Sequence, residues 1–250
     1  MSDQQTEDVT VLKLGGSVIT DKDQPYTVAE EQLGRLAETI ADHCEGNVVI
    51  VHGGGSFGHA AAASHGVSTT DGTTDAGAIV EIHRAMGELN QAVVDRLQEA
   101  EVPALPVRPL SVARRTDSSF SLASLAIEAM LLEEFVPVLH GDVLIHEGSG
   151  STIISGDELV VELARLLDAT RVGLCSTVPG VLDDEGAVIE EVTTYEAVSD
   201  VLGESESTDV TGGMAAKVKE LLALSTPAAI FDPDELAKFL DSGEAGTMIR

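Results

Sequence analysis

A chain of 250 residues is long enough to bury a full core, as one large α/β domain or two intimate lobes. Its 43 acidic residues against 14 basic ones leave a formal net charge of -29, which excludes the basic footprint that nucleic-acid binding requires. The acids are spread along the chain, so they read as a surface kept hydrated in concentrated salt rather than as an acidic arm. No apolar run reaches membrane-spanning length, and Met1 to Thr10 is polar and acidic, without a signal-peptide pattern. Cys44 and Cys175 are lone cysteines without metal spacing, and with the preceding features they predict a soluble protein of the reducing cytoplasm. Lysine is scarce enough to be informative: there are five, Lys13, Lys22, Lys217, Lys219 and Lys238.

Val9 to Leu14 reads as a short apolar strand, broken at Lys13-Leu14-Gly15-Gly16-Ser17. A lysine at a strand end beside two glycines can place its ammonium over a phosphate held by the glycine N–H groups. Lys22 follows in a polar loop ended by Pro25. Leu33, Leu36, Ala37 and Ile40 repeat at i, i+3, i+4, i+7 and predict an amphipathic helix within Val28 to Cys44. Val48 to Val51 is a β-branched run, the signature of a strand buried on both faces. It stops at Gly53-Gly54-Gly55, and Ser56 to His59 leads into helix-forming Ala60 to Ala63. Strand, glycine turn and helix N-terminus aim unpaired N–H groups and a positive dipole end at one point, which makes an anion site. Gly53, Gly55 and Gly58 also satisfy the dinucleotide fingerprint. That fingerprint belongs in the first βα turn, whereas here it follows the second strand.

Asp75 is placed to cap a long helix reaching about Ala100, with Ile79, Ile82, Met86, Leu89, Val93 and Leu97 on one face. Ile82, His83 and Met86 are candidates to line a pocket, against the competing reading of plain core. Ala104 to Val107 is a predicted strand, Arg114-Arg115 a solvated turn and Ser121 to Leu132 a helix. Val136 to His140 is another buried strand; beyond Gly141-Asp142, Val143 to His146 and Thr152 to Ile154 form a hairpin. Asp157 then stands at the start of a helix over Glu158 to Leu167, either as its N-cap or as a site carboxylate. Arg171 to Cys175 is a strand carried into Ser176-Thr177-Val178-Pro179-Gly180, and Asp183 to Gly186 turns it back to Val188-Ile189. Asp209 to Met214 is a third glycine turn, with Lys217 and Lys219 in the helix it opens. Ala228 to Phe231 is a strand, Asp234 to Leu240 a short helix and Gly246 to Ile249 a terminal strand. This alternation implies a largely parallel sheet with helices on both faces and ligands at the carboxyl ends of its strands.

Glycine turns, nearby lysines and a histidine just past a phosphate nest point to phosphoryl transfer, which needs anionic groups held in line and their charge neutralised. Neither the P-loop element nor the protein-kinase set is present. Taken in order, Lys13-Leu14-Gly15-Gly16-Ser17, His52-Gly53-Gly54-Gly55, Ser155-Gly156-Asp157 and Asp209-Val210-Thr211-Gly212-Gly213-Met214 with Lys217 resemble the amino acid kinase superfamily over nearly the whole chain. Within it, Lys22, His59 after Gly55-Ser56-Phe57-Gly58, and His140-Gly141-Asp142 resemble the isopentenyl phosphate kinases of archaeal isoprenoid synthesis, here with a halophilic surface.

The resemblance implies a single-domain αβα sandwich, with an acceptor-binding lobe over about 1–165 and a nucleotide-binding lobe over about 166–250. It implies transfer of the γ-phosphoryl of ATP, with Mg²⁺, to isopentenyl phosphate by a homodimer. Lys13, Gly15, Gly16, Ser17, Gly55, Ser176, Thr177, Gly180, Gly213 and Lys217 would hold ATP, and Lys22 would stabilise the transition state. Gly54, Gly58, His59 and Gly156 would hold the acceptor phosphate, with Ile82, His83 and Met86 near its tail. Asp157 would orient Lys13 and Lys217, and no residue is assigned to the metal. Family members commonly carry Thr-Asp-Val-Asp-Gly where this chain has Ser176 to Gly180, a departure that bears on base recognition. The rival readings are a small-phosphonate kinase of the fosfomycin-resistance type, a carboxylate or nucleotide kinase of this fold, and a non-catalytic nucleotide-binding regulator. An apolar acceptor pocket favours the isoprenoid. The charge makes its own prediction: the melting temperature, followed by circular dichroism, falls as salt is removed, and an unchanged value refutes the saline reading.

Overall fold

The computed structural model describes residues 8–44, 46–117, 119–203 and 213–250. The first half comprises β1 (Val9–Leu14), α1 (Gly16–Ile19), α2 (Glu30–His43), β2 (Asn47–His52), α3 (Gly55–His65), α4 (Ala76–Glu99), β3 (Ala104–Pro106), α5 (Pro109–Val112), β4 (Ala113–Thr116), β5 (Ser119–Leu122) and α6 (Leu125–Leu132). There follow β6 (Val136–His140), β7 (Asp142–His146), β8 (Gly150–Ile154), α7 (Gly156–Leu166), β9 (Arg171–Cys175), β10 (Glu191–Val192), α8 (Ser199–Gly203), α9 (Gly213–Leu222), β11 (Ala228–Phe231), α10 (Leu236–Ser242) and β12 (Thr247–Ile249).

Eight strands form one sheet in the order β10-β12-β11-β9-β1-β2-β6-β3. The β11–β12 pair is antiparallel and the other pairs are parallel. Every residue of β1 is buried, as a central parallel strand requires. Successive side chains point to opposite faces. Val9 and Val11 join Val49 and Val51 in a core with α7 and α9, contributed by Leu159, Leu163, Val218 and Leu221. Leu12 and Leu14 join Ile50 in a second core with Leu33 and Ile40 of α2, Leu89 and Val93 of α4 and Phe239 of α10. Helices therefore cover both faces, and the expected αβα sandwich is observed. Asp75 caps α4, its Oδ1 accepting from the N–H of Gly77 at 2.7 Å and of Ala78 at 3.4 Å. Among the described residues no helix is long and apolar enough to cross a membrane.

Four local expectations are revised. Ser121 and Leu122 belong to β5, not to a helix, because Ser119–Leu122 pairs antiparallel with Ala113–Thr116 and cross-strand bonding overrides local propensity. Arg114-Arg115 is therefore part of a strand, in a second, four-stranded sheet ordered β5-β4-β7-β8. The cap of α7 is Ser155, whose Oγ accepts from the N–H of Glu158 at 3.1 Å, while Glu158 Oε2 accepts from the N–H of Ser155 at 2.9 Å. That frees Asp157 for another partner. The return strand at Val188-Ile189 shrinks to one isolated bridge, Leu182 to Val188. Residues 209–212 of the third glycine turn lie outside the described residues.

Candidate active site

Four neighbouring strands end at one level: Leu14 pairs with His52 and with Cys175, and His52 pairs with His140. The chain builds from β1 to one side through β2 and later to the other through β9, so β1 marks the switch point where such sheets form a ligand crevice. A cavity of about 860 Å³ opens there. Its wall is made by the segments that leave these strands: Gly15 to Ser17, Gly53 to Ser56, Gly141-Asp142 and Ser176 to Val178. The first turns of α3, α7 and α9 open on the same space through Gly55, Gly156 and Gly213. Three helix N-termini thus present their positive ends to one volume.

The two complete glycine turns stand back to back. A Cβ on Gly16 would lie 2.2 Å from Gly55 N, and one on Gly53 would lie 2.6 Å from Gly16 N. Gly55 has φ +47°, which also favours glycine. Thr20 staples the pair: its Oγ1 donates to Gly16 O at 2.7 Å and accepts from Ser56 N–H at 3.0 Å. Ser56 N–H is thereby engaged, whereas the N–H groups of Gly16, Ser17, Gly54 and Gly55 meet no acceptor among the described residues. Sequence reasoning missed Thr20; no local pattern marks a threonine that bridges to a turn 36 residues away.

Lys13 is 8 % exposed, and its Nζ lies 2.6 Å from Asp157 Oδ1, itself on a residue 6 % exposed. Gly156 leaves room for the lysine stem, since a Cβ there would sit 3.2 Å from Lys13 Cε. A buried pair of this kind fixes geometry more than it adds stability. Half-buried Lys217 and exposed Lys22 line the same cavity, so three of the chain's five lysines converge on it. Among the described residues the carboxylates on the wall are Asp157 and Asp142, and both are engaged. Asp142 Oδ2 meets His83 Nδ1 at 2.8 Å, and burial pushes the Asp142 carboxyl up. Behind Lys217, burial and the negative charge of Asp157 push up the carboxyl of Glu220.

His59, exposed near the start of α3, lines the cavity together with Gly54 and Gly58. Beyond them the wall turns apolar, with Ala62, Val67, Ile82, Met86, Ile153 and Ile154. Met86 packs so closely on Gly58 that a Cβ there would lie 2.7 Å from its Sδ. Two expected site residues are off the wall. His83 turns its ring to Asp142 instead, and Gly180 packs against Thr247, whose Oγ1 would lie 2.5 Å from a Cβ at that position. Under the nest, His52 and His140 are stacked with ring centroids 5.4 Å apart. Each donates from Nδ1 to the carbonyl of the glycine that follows it, at 3.0 Å for Gly53 and 2.9 Å for Gly141. Asn90 donates to His52 Nε2 at 3.2 Å.

Comparison with known proteins places this site in context. The sequence profile of the "Amino acid kinase family" matches residues 8–230. The chain is 58% identical to an isopentenyl phosphate kinase of Haloferax volcanii over 97% of its own length and 98% of that protein. It is 36% identical to an isopentenyl phosphate kinase of Methanocaldococcus jannaschii over 84% of its length and 85% of that protein. A solved structure of an isopentenyl phosphate kinase superposes with a TM-score of 0.78 at 25% identity, covering 97% of this chain and 100% of that one.

The histidine stack has a pH signature. Burial lowers His52 from 6.5 to about 4 and holds His140 well below the ordinary value, with His52 adding to the effect. Between pH 6.5 and about 4 the unfolded chain takes up a proton at this position that the folded chain refuses. Stability therefore falls as the pH drops through that window, by roughly 3 kcal/mol at its lower end for His52. In histidine-labelled NMR spectra, the His52 ring keeps its neutral shifts until the pH nears 4; a midpoint close to 6.5 contradicts the buried neutral stack.

Proposed function

The chain belongs to the amino acid kinase family, and from that premise we propose that it transfers the γ-phosphoryl group of ATP to isopentenyl phosphate, giving isopentenyl diphosphate. It is a phosphotransferase. The observation that carries the choice of acceptor is the two-ended cavity, with lysines and glycine N–H groups at one end and an apolar wall around Ile82 and Met86 at the other. A phosphate on a short branched hydrocarbon matches both ends.

Lys13 and Lys217 hold the ATP phosphates, with Gly15, Gly16, Ser17, Gly55 and Gly213 approaching closely and Ser176 and Thr177 along the nucleotide. Asp157 orients Lys13 through their ion pair. Lys22 neutralises the charge that develops on the moving phosphoryl group. Gly54, Gly58, Gly156 and His59 hold the acceptor phosphate, the histidine donating an N–H to one of its oxygens. That phosphate has a second pKa of about 6, so it arrives ionised and needs no general base. Among the described residues, the two wall carboxylates are engaged by Lys13 and His83, as an acceptor that needs no base allows.

Among the described residues no group of three or more His, Cys, Asp or Glu side chains could hold a metal ion. In this reading Mg²⁺ comes with the nucleotide, carried on its phosphates and water in the way this ion is usually held. The acceptor lobe over about 1–165 and the nucleotide lobe over about 166–250 are part of the same proposal, supported by the sheet dividing at β1 and β9. So are the cytoplasmic location and the homodimer. Leu125, 81 % exposed, and Leu132, one face of α6 seven residues on, give an apolar edge on an acidic surface that a second copy would cover.

Phosphorus NMR in high salt with Mg·ATP is the direct test. A new diphosphate signal with isopentenyl phosphate, and none with fosfomycin, is expected. Product with fosfomycin alone moves the assignment to a phosphonate kinase, and silence with both in folded protein revives the regulator. His59→Ala weakens acceptor binding roughly 10- to 100-fold, the worth of one hydrogen bond to a charged group, and leaves ATP binding within about twofold. Equal loss of both in titrations overturns the role given to His59.

A further inference from the structure

Arg115 does not line the cavity, yet its guanidinium joins three segments of the wall from behind. It is held on β4, with an 11 % exposed side chain. Its Nη1 donates to Thr69 O at 3.2 Å, in the segment between α3 and α4. The same nitrogen donates to Ile153 O at 3.2 Å and to Thr152 Oγ1 at 3.4 Å, on β8. Its Nη2 donates to Glu158 Oε1 in the first turn of α7. The other oxygen of that carboxylate closes the cap on Ser155, and the residue just before Glu158, Asp157, holds Lys13.

The consequence is mechanical. Ser68 and Thr69 line the cavity beside Ile153 and Ile154, and Ser155 to Asp157 form the rim that holds Lys13. Main-chain bonds link the first two segments: Ile153 N–H donates to Ser68 O at 2.9 Å, and Thr73 and Ser151 exchange a pair of bonds at 2.9 Å each. β8 already runs through Ile154 directly into Ser155 and α7; what Arg115 and Glu158 add is a side-chain tie from that turn to the Thr69 segment. A guanidinium suits this place because its planar fork serves several acceptors at fixed angles, which an ammonium does not. With a net charge of -29 the chain has few cations to spend, and this one is turned inward.

We propose that Arg115 is a positioning residue for the acceptor: by clamping Thr69 and Ile153 to Glu158, it keeps the apolar wall in register with the Lys13–Asp157 pair. The inference rests on the acceptor reading above only for which substrate it affects. Arg115→Gln, assayed in high salt, is expected to raise the KM for isopentenyl phosphate roughly tenfold, the loss of one charge-assisted contact, with the KM for ATP within about twofold. Arg115→Lys restores part of this by pairing with Glu158. Glu158→Gln, which leaves the three bonds of Nη1 in place, shows a smaller effect in the same direction and stands in if Arg115→Gln does not fold. Hydrogen exchange supplies a readout independent of any substrate: the amides of Ile153 and Thr73 exchange faster in Arg115→Gln, and those of β1 and β2 do not. Both KM values unchanged, or both rising together with a general loss of protection and no rescue by lysine, would overturn the proposal. If the wild type does not turn over isopentenyl phosphate, the acceptor reading fails, and the exchange pattern still decides the clamp.

Discussion

The approach of two glycine turns, one after β1 and one after β2, is the constraint on which the rest of the site depends. Gly16 sits where any side chain would strike the backbone of Gly55, and Gly53 where one would strike Gly16. Because the strands are adjacent and parallel, with Leu14 opposite His52, the turns must emerge side by side. Only side-chain-free residues let them touch, and touching lets their N–H groups face one point instead of two. Thr20 fixes the contact by bonding to both turns. Lys13 is one residue before the end of β1, so its position is set by the same register.

The second organising element is charge placement. A chain with 43 acids against 14 basic residues repels anions over any distance that salt does not screen, yet the substrates of a kinase are anions. The cavity reverses the sign locally. Three lysines and three helix N-termini face it, and among the described residues its two carboxylates are each committed to a cation or a histidine. Beneath, the histidine stack adds no positive charge near neutral pH, because burial keeps both rings unprotonated. The positive field of the cavity is therefore set by its lysines and backbone dipoles and not by the buried histidines.

Much of this was legible in the sequence, for identifiable reasons. Val9–Leu14, Val136–His140, Arg171–Cys175 and Ala228–Phe231 match the expected strands residue for residue, since strands buried on both faces are continuous apolar runs bounded by breakers. The site residues stood out because glycine in threes and lysine in a lysine-poor chain are each hard to explain otherwise. Half of the second sheet was legible, as the hairpin β7–β8; β4 and β5 were not, because they are short and partly exposed and Arg114-Arg115 carries no alternation to read. Arg115 reads as solvated until its partners arrive from 37 to 46 residues away. His83 shares a helical face with Met86, and only the fold shows its ring turned to an aspartate 59 residues distant. The cap of α7 is different: Ser155 with Glu158 three residues on is a capping-box pattern that the sequence does display.

That cap joins the two halves of the molecule's chemistry. Had Asp157 been the N-cap, its carboxylate would be bound to backbone N–H groups and could not reach a lysine. Ser155 takes that duty, with Glu158 as its reciprocal partner, and Asp157 is left facing Lys13 across 2.6 Å. Glu158 in turn has one oxygen on the cap and the other on Arg115. Four consecutive residues, Ser155 to Asp157 and Glu158, thus divide their work between ending a helix, passing a lysine stem, holding its ammonium and anchoring the far wall. Displacement of this turn would move the phosphate end and the apolar end of the cavity together. A phosphoryl transfer that relies on positioning rather than on a covalent intermediate or a base is the chemistry most exposed to such a shift.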